Sequence, residues 1–286
     1  QNASSALTRR LYLLGGRGAR PLEIFDPASG RWSRGAAPPL ELHHLQALAY
    51  EGRLYVIGAF TGGFPEEQPL DHVLVYDPAS DRWSEGAEVP AHRRRGAAGV
   101  VAHGGRIYLV GGNTRGHMSG YVPWLDEFDP ATGRWRELAD APHARDHFHA
   151  VVIDGRIYAA GGRRTSHDTG ETMSLTIPQV DAYDIASGRW STLDAPLPTP
   201  RAGAGAVAMA GALVVLGGES PAQVPGHAEV EAYDPAQGRW TTLAPLPKGR
   251  HVTQATLRDG VLHVPAGTGD RGGGPELDDH WALSAR

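Results

Sequence analysis

Short apolar runs and polar turns alternate along the chain in a fixed order. In the stretch from Arg201 to Trp240, an arginine opens an apolar run and a glycine turn reverses it. A second run ends at Gly217-Gly218, a third ends at Tyr233-Asp234, and a fourth begins at Trp240. Runs of this length, bounded by turn-forming residues, are typical of β-strands. The pattern therefore predicts a meander of four antiparallel strands.

The same order of signals recurs along the chain. A glycine pair or its remnant closes the second run at Gly15-Gly16, Gly58-Ala59, Gly111-Gly112, Gly161-Gly162, Gly217-Gly218 and Ala266-Gly267. An aromatic-Asp pair then leads to Trp32, Trp83, Trp135, Trp190 and Trp240. The units span about residues 3–40, 41–92, 93–143, 144–198, 199–248 and 249–286. A period of roughly 40–50 residues indicates a repeat architecture, so we expect one domain over residues 1–286.

Glycine pair, aromatic-Asp and Arg-Trp, in that order, resemble the kelch repeat over almost the whole chain. The resemblance implies an all-β fold, a six-bladed β-propeller whose blades are four-stranded antiparallel sheets around a channel. The last unit has no Arg-Trp pair, so we expect the sixth blade to lack its outer strand. The repeated tryptophans are expected to pack between neighbouring blades. The resemblance does not fix a function, because kelch propellers serve as binding modules, structural proteins and enzymes.

Composition limits the classes of partner that the chain is expected to bind. The formal net charge is −5 and no apolar run is long enough to span a bilayer, so we expect neither a nucleic-acid nor a membrane partner. The absence of cysteine excludes disulfides and thiolate metal sites. Lys248 is the only lysine, which favours a bacterial coding bias, and the chain starts at Gln1 without methionine. The chain is therefore either a processed mature form, from which a signal peptide has been removed, or a trimmed one, and the first would indicate an exported, periplasmic or extracellular protein.

The two faces of the predicted propeller differ in their loops. Turns such as Glu51-Gly52 and Asp154-Gly155 suit tight hairpins with positive φ. The connections between second and third strands are longer and variable. They run over Phe60–His72, Asn113–Trp124, Arg163–Pro178, Glu219–Ala228 and Thr268–Asp278. Because binding residues usually lie on loops held by a rigid scaffold, we expect the site on this second face.

Four arginines occupy one repeat position, sixteen residues before the glycine pair: Arg95, Arg145, Arg201 and Arg250. A ring of guanidinium groups at the channel mouth would bind carboxylate or phosphate groups. The alternative is structural, since an arginine at this position can pair with neighbouring carboxylates or carbonyls.

Histidines follow the same position in two blades. If the inner strands begin near His43, Gly96, Asp146, Ala202 and His251, period two places His44 and Gln46 on one side, as it does His147 and His149. Two histidines at i and i+2 can chelate one ion. The sequence thus offers His44, His147 and His149 as ligands of a divalent metal, completed by a carboxylate such as Asp146, Asp168 or Glu219.

Two classes of function follow. The first is a binding module whose arginine-rimmed, histidine-bearing mouth takes an anionic small molecule or an acidic protein segment, with Asn113 and Glu219 from the loops also in the site. The second is an enzyme that uses the same funnel. It would be a mutarotase or epimerase of sugar acids, in which Glu219 or a histidine moves a proton, or a metal-dependent catalyst at the histidines. No organic cofactor is expected.

Overall fold

The computed structural model describes residues 2–7, 9–171 and 173–284. Within these residues the strands form six antiparallel blades, five with four strands and the last with three. The innermost strands contact one another in a closed ring, and this confirms the six-bladed propeller and the missing outer strand of blade 6. No helix of the described residues is long and apolar enough to cross a bilayer.

The strand bounds follow the repeat. Blade 1 contains β1 (Asn2–Leu7), β2 (Arg10–Gly15), β3 (Leu22–Asp26) and β4 (Arg31–Gly35). Blade 2 contains β5 (Leu48–Tyr50), β6 (Arg53–Val56), β9 (His72–Asp77) and β10 (Arg82–Glu88), with the short loop pair β7 (Phe60–Thr61) and β8 (Gln68–Pro69). A 3-10 turn, Ala91–Arg93, leads to blade 3, made of β11 (Gly99–His103), β12 (Arg106–Val110), β15 (Leu125–Asp129) and β16 (Arg134–Glu137), with the loop hairpin β13 (Asn113–Arg115) and β14 (Ser119–Tyr121).

The remaining blades are simpler. Blade 4 contains β17 (Ala150–Ile153), β18 (Arg156–Ala159), β19 (Asp181–Asp184) and β20 (Arg189–Thr192). Blade 5 contains β21 (Gly205–Met209), β22 (Ala212–Leu216), β23 (Val230–Asp234) and β24 (Arg239–Thr242). Blade 6 contains β25 (Thr256–Arg258), β26 (Val261–Pro265) and β27 (His280–Ser284).

The hydrophobic core lies between neighbouring blades. Side chains of blade 2 such as Tyr55 and Val75 pack against Val100 and Leu109 of blade 3, and equivalent clusters join the other blades. Four of the repeated tryptophans, Trp83, Trp135, Trp190 and Trp240, lie at the edges of these clusters, as the repeat predicts, whereas Trp32 is 41 % exposed and outside them. The indole N–H of Trp83 donates to the Ala36 carbonyl of blade 1 at 2.9 Å, so the tryptophan links two blades.

The tight turns agree with the sequence prediction. Glu51 and Gly52 have φ of 45° and 75°, and Asp154 and Gly155 have φ of 48° and 73°. Such positive values are what two-residue hairpins require. The long loops, which connect the second and third strands, lie on the opposite face.

The start of the inner strands differs from the prediction. Residues such as His43 and Asp146 form single bridges to the loop across from them, and the inner strands begin several residues later. The next residue in blades 2 to 6 has a left-handed backbone, with φ between 52° and 60° at His44, Ala97, His147, Gly203 and Val252. The chain turns at this residue. The expected alternation from His44 to Gln46 and from His147 to His149 was therefore wrong.

These turning residues form a belt of backbone hydrogen bonds around the channel. The N–H of each donates to the carbonyl of its counterpart in the preceding blade, at 2.9 Å from Ala97 to His44, 2.9 Å from His147 to Ala97, 2.7 Å from Gly203 to His147 and 2.8 Å from Val252 to Gly203. Asn2 continues the belt, donating to Val252 at 3.1 Å. Side chains on this belt are thus held at the channel mouth by backbone geometry.

Candidate functional site

The four repeated arginines do not line the mouth. Arg95, Arg145, Arg201 and Arg250 are at most 1 % exposed. Each guanidinium donates to backbone carbonyls of its own blade and pairs with a carboxylate, at 2.7 Å from Arg95 to Asp126, 2.8 Å from Arg145 to Asp181 and 2.7 Å from Arg250 to Asp279. Arg201 pairs with Glu231. The expected arginine funnel was therefore wrong, and in blades 3 to 6 these side chains fasten the segment before the first strand to the second and third strands or their ends.

A cavity of about 420 Å³ opens on the loop face instead. All six blades contribute to its wall, through Arg17, Phe64, His117, Arg163, Glu219 and His251. The face is the one that the loop lengths predict. A volume of this size is within the range of small-molecule sites.

One wall of the cavity is built around the buried Glu67. Its carboxylate accepts hydrogen bonds from the guanidinium of Arg17 and from both the backbone N–H and Nδ1 of His117, the last two at 2.9 Å. Burial opposes ionisation of Glu67, but the hydrogen bonds from His117 and Arg17 outweigh it and hold its pKa well below the usual range. A Cβ at Gly116 would lie 2.7 Å from the Glu67 backbone nitrogen, so the approach of the two loops requires glycine there.

The opposite wall contains a second buried carboxylate. Glu219 accepts from Arg163 at 2.6 Å and from the Gly272 N–H at 2.8 Å, and the Nδ1 atom of His251 lies 3.5 Å from its carboxylate without a hydrogen bond between them. Burial alone would raise the pKa of Glu219, but Arg163 and His251 lower it to about 2. The same burial lowers the pKa of His251, despite the attraction of Glu219.

Three imidazoles meet beside the cavity, where His117 is part of the lining. The rings of His44 and His147, on the belt, lie 4.9 Å apart, and the ring of His117, from the turn between β13 and β14, lies 4.9 Å and 5.0 Å from them. One ligand nitrogen from each ring falls within 4.8 Å of the other two, and all three residues are buried. Imidazole nitrogens in this arrangement could hold a transition-metal ion.

The sequence-predicted site residues separate into three groups. Glu219 lines the cavity, and His44 and His147 group with His117. His149 lies outside that group but lines, together with His44 and His147, a channel void of about 30 Å³, and burial lowers its pKa to about 4. Asn113 is buried and positions the hairpin of His117, because its side-chain NH₂ donates to Gly116 and, at 3.3 Å, to Asp146.

Sequence reasoning missed His117, Glu67 and Arg17. They lie in loops of different length in three blades, outside the repeat positions that the alignment of units brings together. The one sequence signal for Glu67 and His117 was their position in long loops. Arg17 did not have this signal, because it lies in the short loop of blade 1. Contacts such as Glu67 with His117 join loops fifty residues apart, which no spacing rule links.

Comparison with known proteins decides the family. The family model described as the KLHDC2/KLHL20/DRC7 Kelch-repeats domain matches residues 86–267, and the Kelch motif matches residues 43–90. The chain belongs to the kelch-repeat family. Propellers of this family commonly bind proteins. The six blades of the structure agree with this assignment.

Relatives of this kelch propeller include Kelch-like protein terF of Aspergillus terreus, 24 % identical over 86 % of this chain and 54 % of the relative. Kelch-like protein 40 of Mus musculus is 36 % identical over 53 % of this chain and 22 % of the relative. Alpha-scruin of Limulus polyphemus is 30 % identical over 73 % of this chain and 23 % of the relative. The chain thus spans about half or less of these relatives.

Among solved structures, the one titled "Structure of YjhT" superposes with a TM-score of 0.84 at 16 % identity, covering all of this chain and 94 % of that one. At this identity the likeness shows the fold alone.

Proposed function

We propose that this kelch propeller binds a small molecule carrying a carboxylate or similar anionic group in the loop-face cavity. The observation that carries the proposal is the convergence of all six blades on one cavity of about 420 Å³ with charged walls. An enclosed volume suits a small molecule. An acidic side chain of a partner protein offers the same chemistry, so acidic peptides form one arm of the test.

The charged groups of the walls favour an anion. The carboxylates of Glu67 and Glu219 are at most 2 % exposed and already accept several hydrogen bonds. The side chain of Arg17 is 39 % exposed, and its hydrogen bond to Glu67 uses one nitrogen of the guanidinium group. A ligand therefore meets a guanidinium with further N–H groups to donate, and such groups bind carboxylates through paired hydrogen bonds.

Calorimetric titration with small carboxylates, sugar acids and an acidic peptide tests this proposal. Arg17→Gln is expected to reduce the affinity for the bound carboxylate by at least about tenfold, because one charge-assisted hydrogen bond is lost. The control is Arg136→Ala, which removes a guanidinium 66 % exposed on β16, away from the cavity. Equal affinity of wild type and Arg17→Gln, or no binding by any compound, would contradict the proposal.

A proton-transfer enzyme is a second candidate because of Glu219 and His251. His251 Nε2 lies 2.7 Å from the Asp270 carbonyl and must donate to it, so a neutral ring presents Nδ1 as an acceptor towards Glu219. A ligand hydroxyl that donates between these two acceptors would be placed for proton transfer. This supports the sugar-acid mutarotase or epimerase hypothesis. NMR of anomer exchange, with and without His251→Asn, tests it.

A further inference from the structure

Three histidines meet beside the cavity, and the contacts of the cavity walls use the Nε2 atom of none of them. We propose that His44, His117 and His147 bind one divalent transition-metal ion, with a coordination position open to the cavity. This goes beyond the proposed anion site, because uptake of the metal does not require the ligand. It also replaces the ligand set expected from the sequence, since His117 takes the place of His149.

Hydrogen bonds fix the tautomer of His44. The Nε2 atom of His43 lies 2.9 Å from the Gly62 carbonyl oxygen and has to donate to it, which leaves His43 Nδ1 as an acceptor. The Nδ1 atom of His44 is 2.6 Å from that acceptor and therefore carries the proton. The lone pair of His44 is then on Nε2, which is buried and has no hydrogen-bond partner within residues 2–7, 9–171 and 173–284.

The other two rings have the same tautomer through carboxylates. His147 Nδ1 donates to Asp146, and His117 Nδ1 donates to Glu67 at 2.9 Å. Nε2 is thus the free nitrogen of each ring, and that of His147 is also buried without a partner. Carboxylates that hold Nδ1–H in this way orient imidazoles and increase their basicity in metal sites.

A water molecule cannot satisfy this group. It has two hydrogens, whereas three lone pairs converge within 4.8 Å of one another. A cation can accept all three. The alternative to a metal ion is an additional proton on one ring, shared with a nitrogen of a neighbouring ring. Titration with metal distinguishes a metal site from such a protonated histidine cluster.

The spacing is close to that of a three-histidine centre. Zn–N bonds of 2.0–2.1 Å in a tetrahedron place nitrogens about 3.4 Å apart. Nitrogens at most 4.8 Å apart would have to approach by about 1.4 Å or less to reach this spacing. Imidazole ligands without carboxylate or thiolate suit Zn²⁺, Cu²⁺ or Ni²⁺. His117 also lines the cavity, so an ion bound by the three rings would be reached from the cavity on the side of His117.

The experiment is a titration of chelator-treated protein with Zn²⁺, and with Co²⁺ as a spectroscopic probe. One ion per chain is expected, with the Co²⁺ spectrum of a four-coordinate nitrogen site. His117→Ala should weaken Zn²⁺ binding more than about 100-fold, and Glu67→Gln, which removes only the orienting carboxylate, about 10–100-fold. His149→Ala is the matched control, a buried channel histidine outside the group, and should leave the affinity within about threefold.

Three results would overturn the assignment: no uptake by the wild type, uptake unaffected by both His117→Ala and Glu67→Gln, or an equal loss in His149→Ala. Melting temperatures of the metal-free variants establish that each is folded. If His117→Ala does not fold, Glu67→Gln against His149→Ala gives the same comparison. Metal uptake without any response to carboxylates would remove the anion site and leave the metal centre standing.

Discussion

Replacing Arg201 is expected to destabilise the fold rather than to weaken ligand binding directly. Its guanidinium is fully buried and donates to Glu231, to the Thr199 carbonyl at 2.7 Å and to the Val215 carbonyl at 3.0 Å. Arg201→Ala leaves Glu231, which is 3 % exposed, as a buried carboxylate whose remaining partner is Thr199. Breaking a buried pair in this way costs about 3–5 kcal/mol. At about 2 °C per kcal/mol for a chain of this size, the melting temperature should fall by about 6–10 °C.

Thermal unfolding followed by far-UV circular dichroism measures this effect. The control Arg136→Ala removes an exposed ion pair with Glu127 and should cost less than about 1 kcal/mol. The double variant Arg201→Met/Glu231→Leu removes both charges and should recover most of the loss, because no charge is left buried alone. A melting temperature for Arg201→Ala within about 2 °C of wild type would refute the reasoning and restore the arginine as a candidate ligand group.

Two further predictions concern the joints between blades, and both are measured by urea unfolding. Trp83→Phe should lower the free energy of unfolding by about 1 kcal/mol more than Trp135→Phe does. The indole N–H of Trp83 donates to the Ala36 carbonyl, whereas that of Trp135 has no hydrogen-bond partner in the described part of the chain. Equal losses would contradict this prediction. Gln46→Leu should cost at least about 2 kcal/mol, since its side chain bonds the Val100 N–H and the Ala150 N–H and carbonyl across the channel at 2.8–2.9 Å. A neutral Gln46→Leu would show that other groups satisfy these atoms.

Most of the fold could be predicted because the repeat expresses local chemistry. Gly52 supplies the positive φ of a hairpin, and Trp83 marks the outer strand at the joint with the previous blade. The left-handed residues of the belt could not be predicted in this way. His44 and Val252 share no side-chain property, and their backbone is set by hydrogen bonds to neighbouring blades.

The site was predictable only in part. Loop length predicted the face on which the cavity opens, Glu219 lines that cavity, and His44 and His147 group with His117 beside it. The prediction for the arginines was wrong because their repeat position suggested exposure at the channel mouth. Their burial follows instead from ion pairs within each blade, with Asp126, Asp181, Glu231 and Asp279. His117 and Glu67 were missed because they meet only after three loops fold over the channel.

A crystal structure of the protein with the carboxylate that binds best in solution tests the central claim most directly. The account predicts density for the carboxylate against the guanidinium of Arg17, inside the cavity that His117 and Glu219 line. An ordered ligand elsewhere, such as the groove beside Tyr121 and Arg164, with the cavity free of ligand density, would contradict it.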